Sequence, residues 1–359
     1  MSARHGGRRC GITGRGHALP PTLRGNNDPV FDWLRQHDGD NWATYFNGYD
    51  QRHVLSGGET LIALMQAAAQ QALDAAGLAA ADVDLLTGFA SVSEFIMPNE
   101  LAALHERLGL PERCWVLPIN NEYSNFNAGL VLADALLRSG QIGSALVVCG
   151  GNWSRHVNYH VGAAASAADG AGAAVLQHTE DAASFRVVDW QALTQTSSAT
   201  LTPGQPESTW GNMTVSSDRL SNAVNPVLQT AAQGGPLSDP GLYTQPYFHL
   251  TDAGMAEFKG FGVHGPVAVA QQLLQRNALP ANQVTIVCHQ TSRYLLDQWA
   301  AQIQPHKLID TLSTFANMTV ANIPVNLSAC FDQIETDHLL LLGIGPELHS
   351  HALLLRRNG

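Results

Sequence analysis

The chain has 359 residues, 45% of them hydrophobic, enough to bury a large core as two domains or one duplicated one. Its formal net charge of −11 argues against a nucleic-acid binder, because phosphate contacts need a basic surface. No apolar run reaches the length of a membrane span, and the basic residues 1–9 are not followed by the apolar segment of a secretory signal. Five widely spaced cysteines, no two at zinc-ligand spacing, read as reduced thiols in a cytoplasm.

In chain order, Cys10-Gly11-Ile12-Thr13-Gly14 opens a first strand that Ala18-Leu19-Pro20-Pro21 ends. Asp28 caps a short helix over 28–36 that has Pro29 in its first turn and carries Trp33. Leu61, Leu64, Met65 and Ala68 recur at helical spacing and predict a helix over 58–78, stopped by Gly77. A strand over 84–90 follows, then a helix that starts at Met97-Pro98 and ends near Leu108-Gly109. Residues 119–140 read as a strand end, a polar elbow and a helix. Asn120, Asn121, Ser124 and Asn125 are all residues that cap orphan N–H groups at a helix start. Leu130, Val131, Leu132, Ala133, Leu136 and Leu137 make the helix apolar around most of its surface, so it is buried, and Gly140 ends it. A buried helix thus turns its positive N-terminus toward polar side chains, which stabilises an anion or a nucleophile. Residues 144–149 are a buried strand, and Asp169-Gly170-Ala171-Gly172 reads as a glycine-rich turn feeding another.

The second half repeats the plan. A strand over 185–190 precedes a stretch at about 191–253 rich in Pro, Gly, Ser and Thr, which reads as a long insertion or lid. Helix 262–278 carries Val267, Val269, Leu273 and Leu274 on its apolar face. Strand 284–289 ends on His289, helix 292–302 follows, and 317–331 is a second polar elbow and helix. Strands 338–342 and 352–355 close the chain. This alternation, twice over, implies α/β layers and an internal pseudo-repeat, with an N-terminal half over 1–180 and a C-terminal half over 181–359.

These residues resemble the ketoacyl synthase III branch of the thiolase fold over nearly the whole chain. Asp169-Gly170-Ala171-Gly172-Ala173-Ala174-Val175-Leu176 is similar to the family's glycine-rich hairpin. His289-Gln290, between a strand and a helix, matches its catalytic histidine. Ala316-Asn317-Met318-Thr319, followed by Pro324, resembles the elbow that supplies its catalytic asparagine. Trp33, with Arg52-His53 downstream, sits where the family has its N-terminal tryptophan and Arg-His pair. The resemblance implies two pseudo-repeated halves in a five-layer α/β/α/β/α sandwich. It also implies a dimer across a sheet edge, here expected near strand 146–150.

The sequence departs from the family at the centre. The family places a nucleophilic cysteine at the N-terminus of the buried helix, where the dipole favours thiolate. Ungapped matching of Phe126 and Ala133-Asp134 puts Tyr123 at that position, with Glu122 before it and Ser124 after. Near the C-terminus, Gly343-Ile344-Gly345-Pro346 stands where the family has a triple-glycine loop, and Gly345 falls at the glycine whose N–H helps form the oxyanion hole.

By that resemblance His289 and Asn317 hold a thioester carbonyl oxygen, chemistry that needs no nucleophile; the plain alternative is an inactive remnant. Ser124 is a candidate nucleophile if His289 lies within reach, against the commoner role of helix cap. Glu122 is a candidate general base, against a buried paired carboxylate. Tyr123 either fills the acyl pocket or donates its hydroxyl, against plain packing. Trp33, Phe95, Met97 and Phe261 are candidates for substrate contact, against ordinary core. His156, Asn158 and His160 have metal-like spacing without carboxylate support, and no metal is expected. His249, His264 and His349 carry no assigned role.

The expected function is a ketosynthase III-like acyltransferase of specialised metabolism, in fatty acid or polyketide biosynthesis. Its substrate would be an acyl thioester of coenzyme A or of an acyl carrier protein, with no resident cofactor. With Ser124 capping the helix and lacking a base, the acyl group is expected to pass directly to the acceptor. A homodimer is expected. The alternatives are an inactive subunit paired with a cysteine-containing homologue, or a malonyl-thioester decarboxylase.

Overall fold

The structure, a computed structural model, describes residues 9–38, 45–93, 98–121, 123–157, 159, 162–195, 214–215, 248–249, 252–345 and 348–359, with backbone alone at 214–215, 248–249 and 252–258. Its elements in order are β1 (Cys10–Ala18), β2 (Leu23–Gly25), α1 (Asp32–Asp38), β3 (Gln51–His53), α2 (Leu61–Ala76), β4 (Leu85–Ser91), α3 (Glu100–Arg107), β5 (Trp115–Pro118), α4 (Asn125–Arg138), β6 (Ser144–Asn152) and β7 (Asp169–His178). The second half continues with β8 (Phe185–Thr194), β9 (Thr214–Val215), β10 (Phe248–His249), α5 (Asp252–Arg276), β11 (Val284–Cys288), α6 (Arg293–Ile303), β12 (Lys307–Leu308), α7 (Leu312–Phe315), α8 (Asn322–Ala329), β13 (His338–Gly345) and β14 (His349–Arg357).

The predicted repeat is visible in the strand order β5-β4-β6-β7-β1-β8-β14-β13-β11-β12. In the first half, β4 runs parallel to β5 and β6, while β7 is antiparallel to β6 and β1. In the second, β11 runs parallel to β12 and β13, while β14 is antiparallel to β13 and β8. The halves join through β1 and β8, where the single pair Ile12↔Phe185 is registered. Near this junction Asn358 N–H donates to Ser184 O at 3.0 Å, Thr179 N–H donates to Arg9 O at 2.9 Å, and the Arg9 side chain reaches Asn358 O.

Two-residue periodicity assigns each strand's side chains to two layers. In β6, Ala145, Val147 and Cys149 face a central layer with Phe126, Leu130, Ala133 and Leu137 of α4. Leu146 and Val148 face outward onto α2. In β13, Leu339 and Leu341 face the same central layer, and Leu340 and Leu342 face the other way, toward α5 and α6. Strands covered on both faces are continuous apolar runs, which is why these were readable in sequence. α8 joins α4 in the central layer through Ile323 and Leu327. The result is the five-layer sandwich.

Local chemistry sets most element ends. Asp28 accepts from Val30 N–H at 2.9 Å ahead of a short turn over Pro29–Phe31, and Gly77 stops α2 at φ 61°. Other boundaries differ from expectation. α3 starts at Glu100, because Asn99 supplies the cap that Pro98 cannot. β8 runs to Thr194, and α5 opens at Asp252, ten residues ahead of the predicted 262, carrying Pro266 inside it. The rest of the predicted insertion lies outside the described residues, apart from the β9–β10 pair. The glycine-rich turn is a strand: Gly170 and Gly172 lie inside β7. They are glycines because the other half packs onto them. A Cβ at Gly172 would stand 2.6 Å from Val325 N, and one at Gly170 would stand 2.7 Å from Met318 Sδ. Gly343-Ile344-Gly345 likewise lies in β13 rather than in a loop. Strand 146–150 is interior, flanked by β4 and β7, so the edge of this half is β5.

Candidate active site at the two elbows

The first elbow precedes α4. Ser124 N–H donates to Asn121 O at 2.6 Å, and Asn125 Nδ2 donates to Ile119 O at 2.8 Å, which fixes the turn into the helix. Ser124 is the N-cap residue of α4, yet its hydroxyl makes no capping bond. Its Oγ lies 3.0 Å from Nε2 of His349 in β14. Gly343 makes the room: a Cβ there would come within 2.3 Å of Ser124 Oγ. Both Ser124 and His349 are buried.

The second elbow, the pseudo-repeat counterpart, precedes α8. Ala316 and Thr319 hold left-handed backbone, φ 54° and 52°, unfavourable for any residue with a Cβ and more so for a β-branched one. Hydrogen bonds impose it. Asn322 Nδ2 donates to Ala316 O at 2.9 Å and Asn322 Oδ1 accepts from Met318 N–H at 3.0 Å. Asn317 Oδ1 accepts from Thr319 N–H at 2.9 Å, and Asn317 Nδ2 lies 3.4 Å from Ser166 Oγ. Gly151 of β6 provides a ledge beneath, where a Cβ would stand 2.4 Å from Met318 O.

β11 delivers His289 between the elbows, its N–H donating to Leu342 O at 2.9 Å. The imidazole is 1% exposed. Burial pushes its pKa down to about 3, against a smaller opposing effect of its hydrogen bond with the Thr319 backbone. It is therefore neutral at pH 7. Its Nδ1 and the Thr319 Oγ1 are buried with no hydrogen-bond partner among the described residues. The Tyr123 ring stacks on it, centroids 4.9 Å apart and planes at 17°.

The structure thus brings together Tyr123, His289 and Asn317, the last two meeting at Thr319, with Ser124 one residue further along. Ser124 pairs with His349 rather than with His289, whose reach was the condition for a nucleophilic Ser124, and its hydroxyl does not make the expected cap. Gly345 ends β13 opposite His349. Trp33 is on α1 with its ring stacked on His37, centroids 4.0 Å apart. Arg52 is buried, donating to Ala165 O at 2.7 Å and to Asn26 Oδ1 at 2.6 Å, so its charge is used within the fold. Phe261 is a core residue of the α5–α6 layer. Glu122, Phe95, Met97, Pro346, Asn158 and His160 lie outside the described residues, as does the side chain of His249. Among the described residues no group of three or more His, Cys, Asp or Glu could hold a metal ion. All five cysteines are buried and outside any disulfide, and none begins α4. Burial pushes Cys10, Cys114, Cys288 and Cys330 up. Sequence reasoning left His349 without a role. The signal was its period-two relation to His351, Leu353 and Leu355, which places it on the strand face toward α4.

Comparison with known proteins accords with this architecture. Residues 117–195 match the family profile "3-Oxoacyl-[acyl-carrier-protein (ACP)] synthase III", and residues 274–357 match that family's C-terminal profile. The beta-ketoacyl-[acyl-carrier-protein] synthase III of Chelativorans sp. (strain BNC1) is 27% identical over 355 residues, covering 97% of this chain and 99% of that protein. Among solved structures, the 3-oxoacyl-[acyl-carrier-protein] synthase III of Aquifex aeolicus superposes with a TM-score of 0.76 at 20% identity, covering 97% of this chain and 99% of that one. The priming beta-ketosynthase of the R1128 polyketide biosynthetic pathway gives 0.77 at 18% identity, covering 99% of both chains.

Proposed function

This chain belongs to the ketoacyl-[acyl-carrier-protein] synthase III-like family of the thiolase fold, and from that premise we propose that it is an acyltransferase working on an acyl thioester of coenzyme A or of an acyl carrier protein. The observation that carries the reading is His289: a buried, neutral imidazole linked through Thr319 to Asn317. Neutral donors held in a dry site stabilise the negative charge that grows on a thioester carbonyl oxygen, and they need no reorganisation as it grows. Because the imidazole stays uncharged, it offers that oxygen a dipole and leaves no buried cation behind when the reaction is over. The Gly345 N–H is assigned as a further donor to the same oxygen. Tyr123, whose ring covers one face of His289, bounds the acyl site where the family's cysteine would stand.

The acyl group goes to an amine, alcohol or carbon acceptor, in specialised metabolism close to fatty acid or polyketide assembly. The thioester is substrate, and no resident cofactor takes part. Five buried cysteines outside any disulfide fit a reducing compartment, and we assign the cytoplasm. Among the described residues, no helix is long and apolar enough to cross a membrane. The test is release of free thiol from a panel of acyl-CoA and acyl-carrier-protein thioesters, with and without amine and alcohol acceptors. Release that falls in His289→Ala and Asn317→Ala is expected. A chain silent with every thioester, yet required for turnover by a cysteine-containing homologue, would instead be a supporting subunit. The stacking of Tyr123 over His289 is the observation that favours this second reading.

A further inference from the structure

A serine at the N-cap of a helix ordinarily spends its hydroxyl on the helix's own N–H groups. Ser124 does not. Its Oγ is directed across the central layer to His349 Nε2, 3.0 Å away and 225 residues distant in sequence. Gly343 is cleared of side chain where that hydroxyl passes, and Ser350 Oγ, donating to Gly343 O at 2.7 Å, holds that segment in place. The neighbouring Tyr123 lies against His289, so the hydroxyl is one residue from the oxyanion donors. Direct transfer requires a Ser124 that caps the helix and has no base in reach; in the folded chain neither condition holds.

We propose that Ser124 is the acyl-accepting nucleophile and His349 its general base. Nε2 takes the hydroxyl proton as the Oγ–C bond forms at the thioester carbonyl. The C–S bond then breaks, and His349 returns that proton to the departing sulfur, which leaves as a free thiol. The acyl group is now an ester on Ser124. An amine or hydroxyl acceptor attacks the ester carbon and loses its proton to Nε2. The C–Oγ bond breaks, and the proton goes back to Ser124. The N-terminus of α4 favours the charge developing beside it. Ser124 is 0% exposed, so labelling reads directly whether a donor reaches it.

The proposal rests on the acyl-transfer reading but is tested apart from it. The full chain is treated with a fluorophosphonate, which reacts with base-activated serines, and separately with hexanoyl-CoA, and both are read by intact and peptide mass. One fluorophosphonate on the Ser124 peptide is expected, absent in Ser124→Ala and at least about 100-fold slower in His349→Gln, the usual range for a general base. One hexanoyl group per chain is expected on the same peptide, and Ser124→Cys should keep it as a thioester. Circular dichroism establishes that the variants fold. An unlabelled Ser124 in the native chain overturns the proposal even if His349→Gln does not fold. So does thioester turnover that survives in Ser124→Ala, which would leave acyl transfer itself intact. A labelled Ser124 in a chain that releases no thiol from any thioester would keep the dyad and sink the acyl-thioester reading.

Discussion

His289 shows how burial sets a protonation state: the ring is 1% exposed, the cationic form is penalised, and the imidazole stays neutral at pH 7. Removing an oxyanion donor costs about 3 kcal/mol of transition-state stabilisation. His289→Ala and Asn317→Ala are therefore each expected to lower kcat/KM by about 100- to 1,000-fold, measured as thiol release. The same burial makes stability depend on acid. The folded pKa, about 3, is below the ordinary 6.5, so between those values the unfolded chain binds a proton that the native chain does not. Stability is complete above the unfolded value and is lost as pH falls toward the folded one, at about 1.4 kcal/mol per pH unit for one such group. His351, pushed down to about 4, acts in the same direction, whereas Asp169, pushed up to about 6 by burial, opposes them as pH falls below 6. Denaturant titrations of His289→Asn should give an acid slope shallower than the native chain's by about 1.4 kcal/mol per unit between pH 6 and 4. Equal slopes would put the ring in water. The neighbouring placement of His289 and Asn317 was legible because each stands beside a recognisable elbow. The contact of His349 with Ser124 was not, because it joins residues from opposite halves of the chain.

At the scale of elements, glycines were the least legible residues. A glycine-rich string reads as a turn when only its neighbours in sequence are known. In β7 the glycines are there because α8 and its elbow press on the strand, and that surface comes from residues about 150 positions later. Gly172→Ala should lose about 1–3 kcal/mol in denaturant unfolding, as overpacked sites do. Gly58→Ala, with nothing within 4 Å of the added methyl, should stay within about 0.5 kcal/mol of the native chain. Equal effects at the two sites would mean that α8 does not press on β7. The long apolar strands and α2 were readable because burial on both faces, or on a helical stripe, leaves a regular pattern. Of β5 only the end was legible, as a strand end at Ile119, because four residues ending in a proline carry too little pattern.

For the whole molecule, strand–helix alternation made the duplication legible, but it could not show which strand is an edge. β5 is, and it carries Trp115, 51% exposed. We expect dimers that pair along it: light scattering at micromolar concentration should give twice the chain mass, and Trp115→Lys should shift that toward one. A stable native monomer would refute the pairing. The junction beside β1 and β8 has a different consequence. Arg9 and Asn358 lie together there, next to Thr179 and Ser184, while 180–183 are exposed. The order of the halves along the gene is thus not forced by their arrangement in space. A circular permutant beginning at Ala182, with Gly359 joined by a short flexible linker to Arg9, interrupts no strand pairing and should melt in one cooperative transition with the native far-ultraviolet spectrum. It would also reverse the order in which Ser124 and His349 leave the ribosome, so a permutant that folds and labels like the native chain would show that their meeting does not depend on which half is made first.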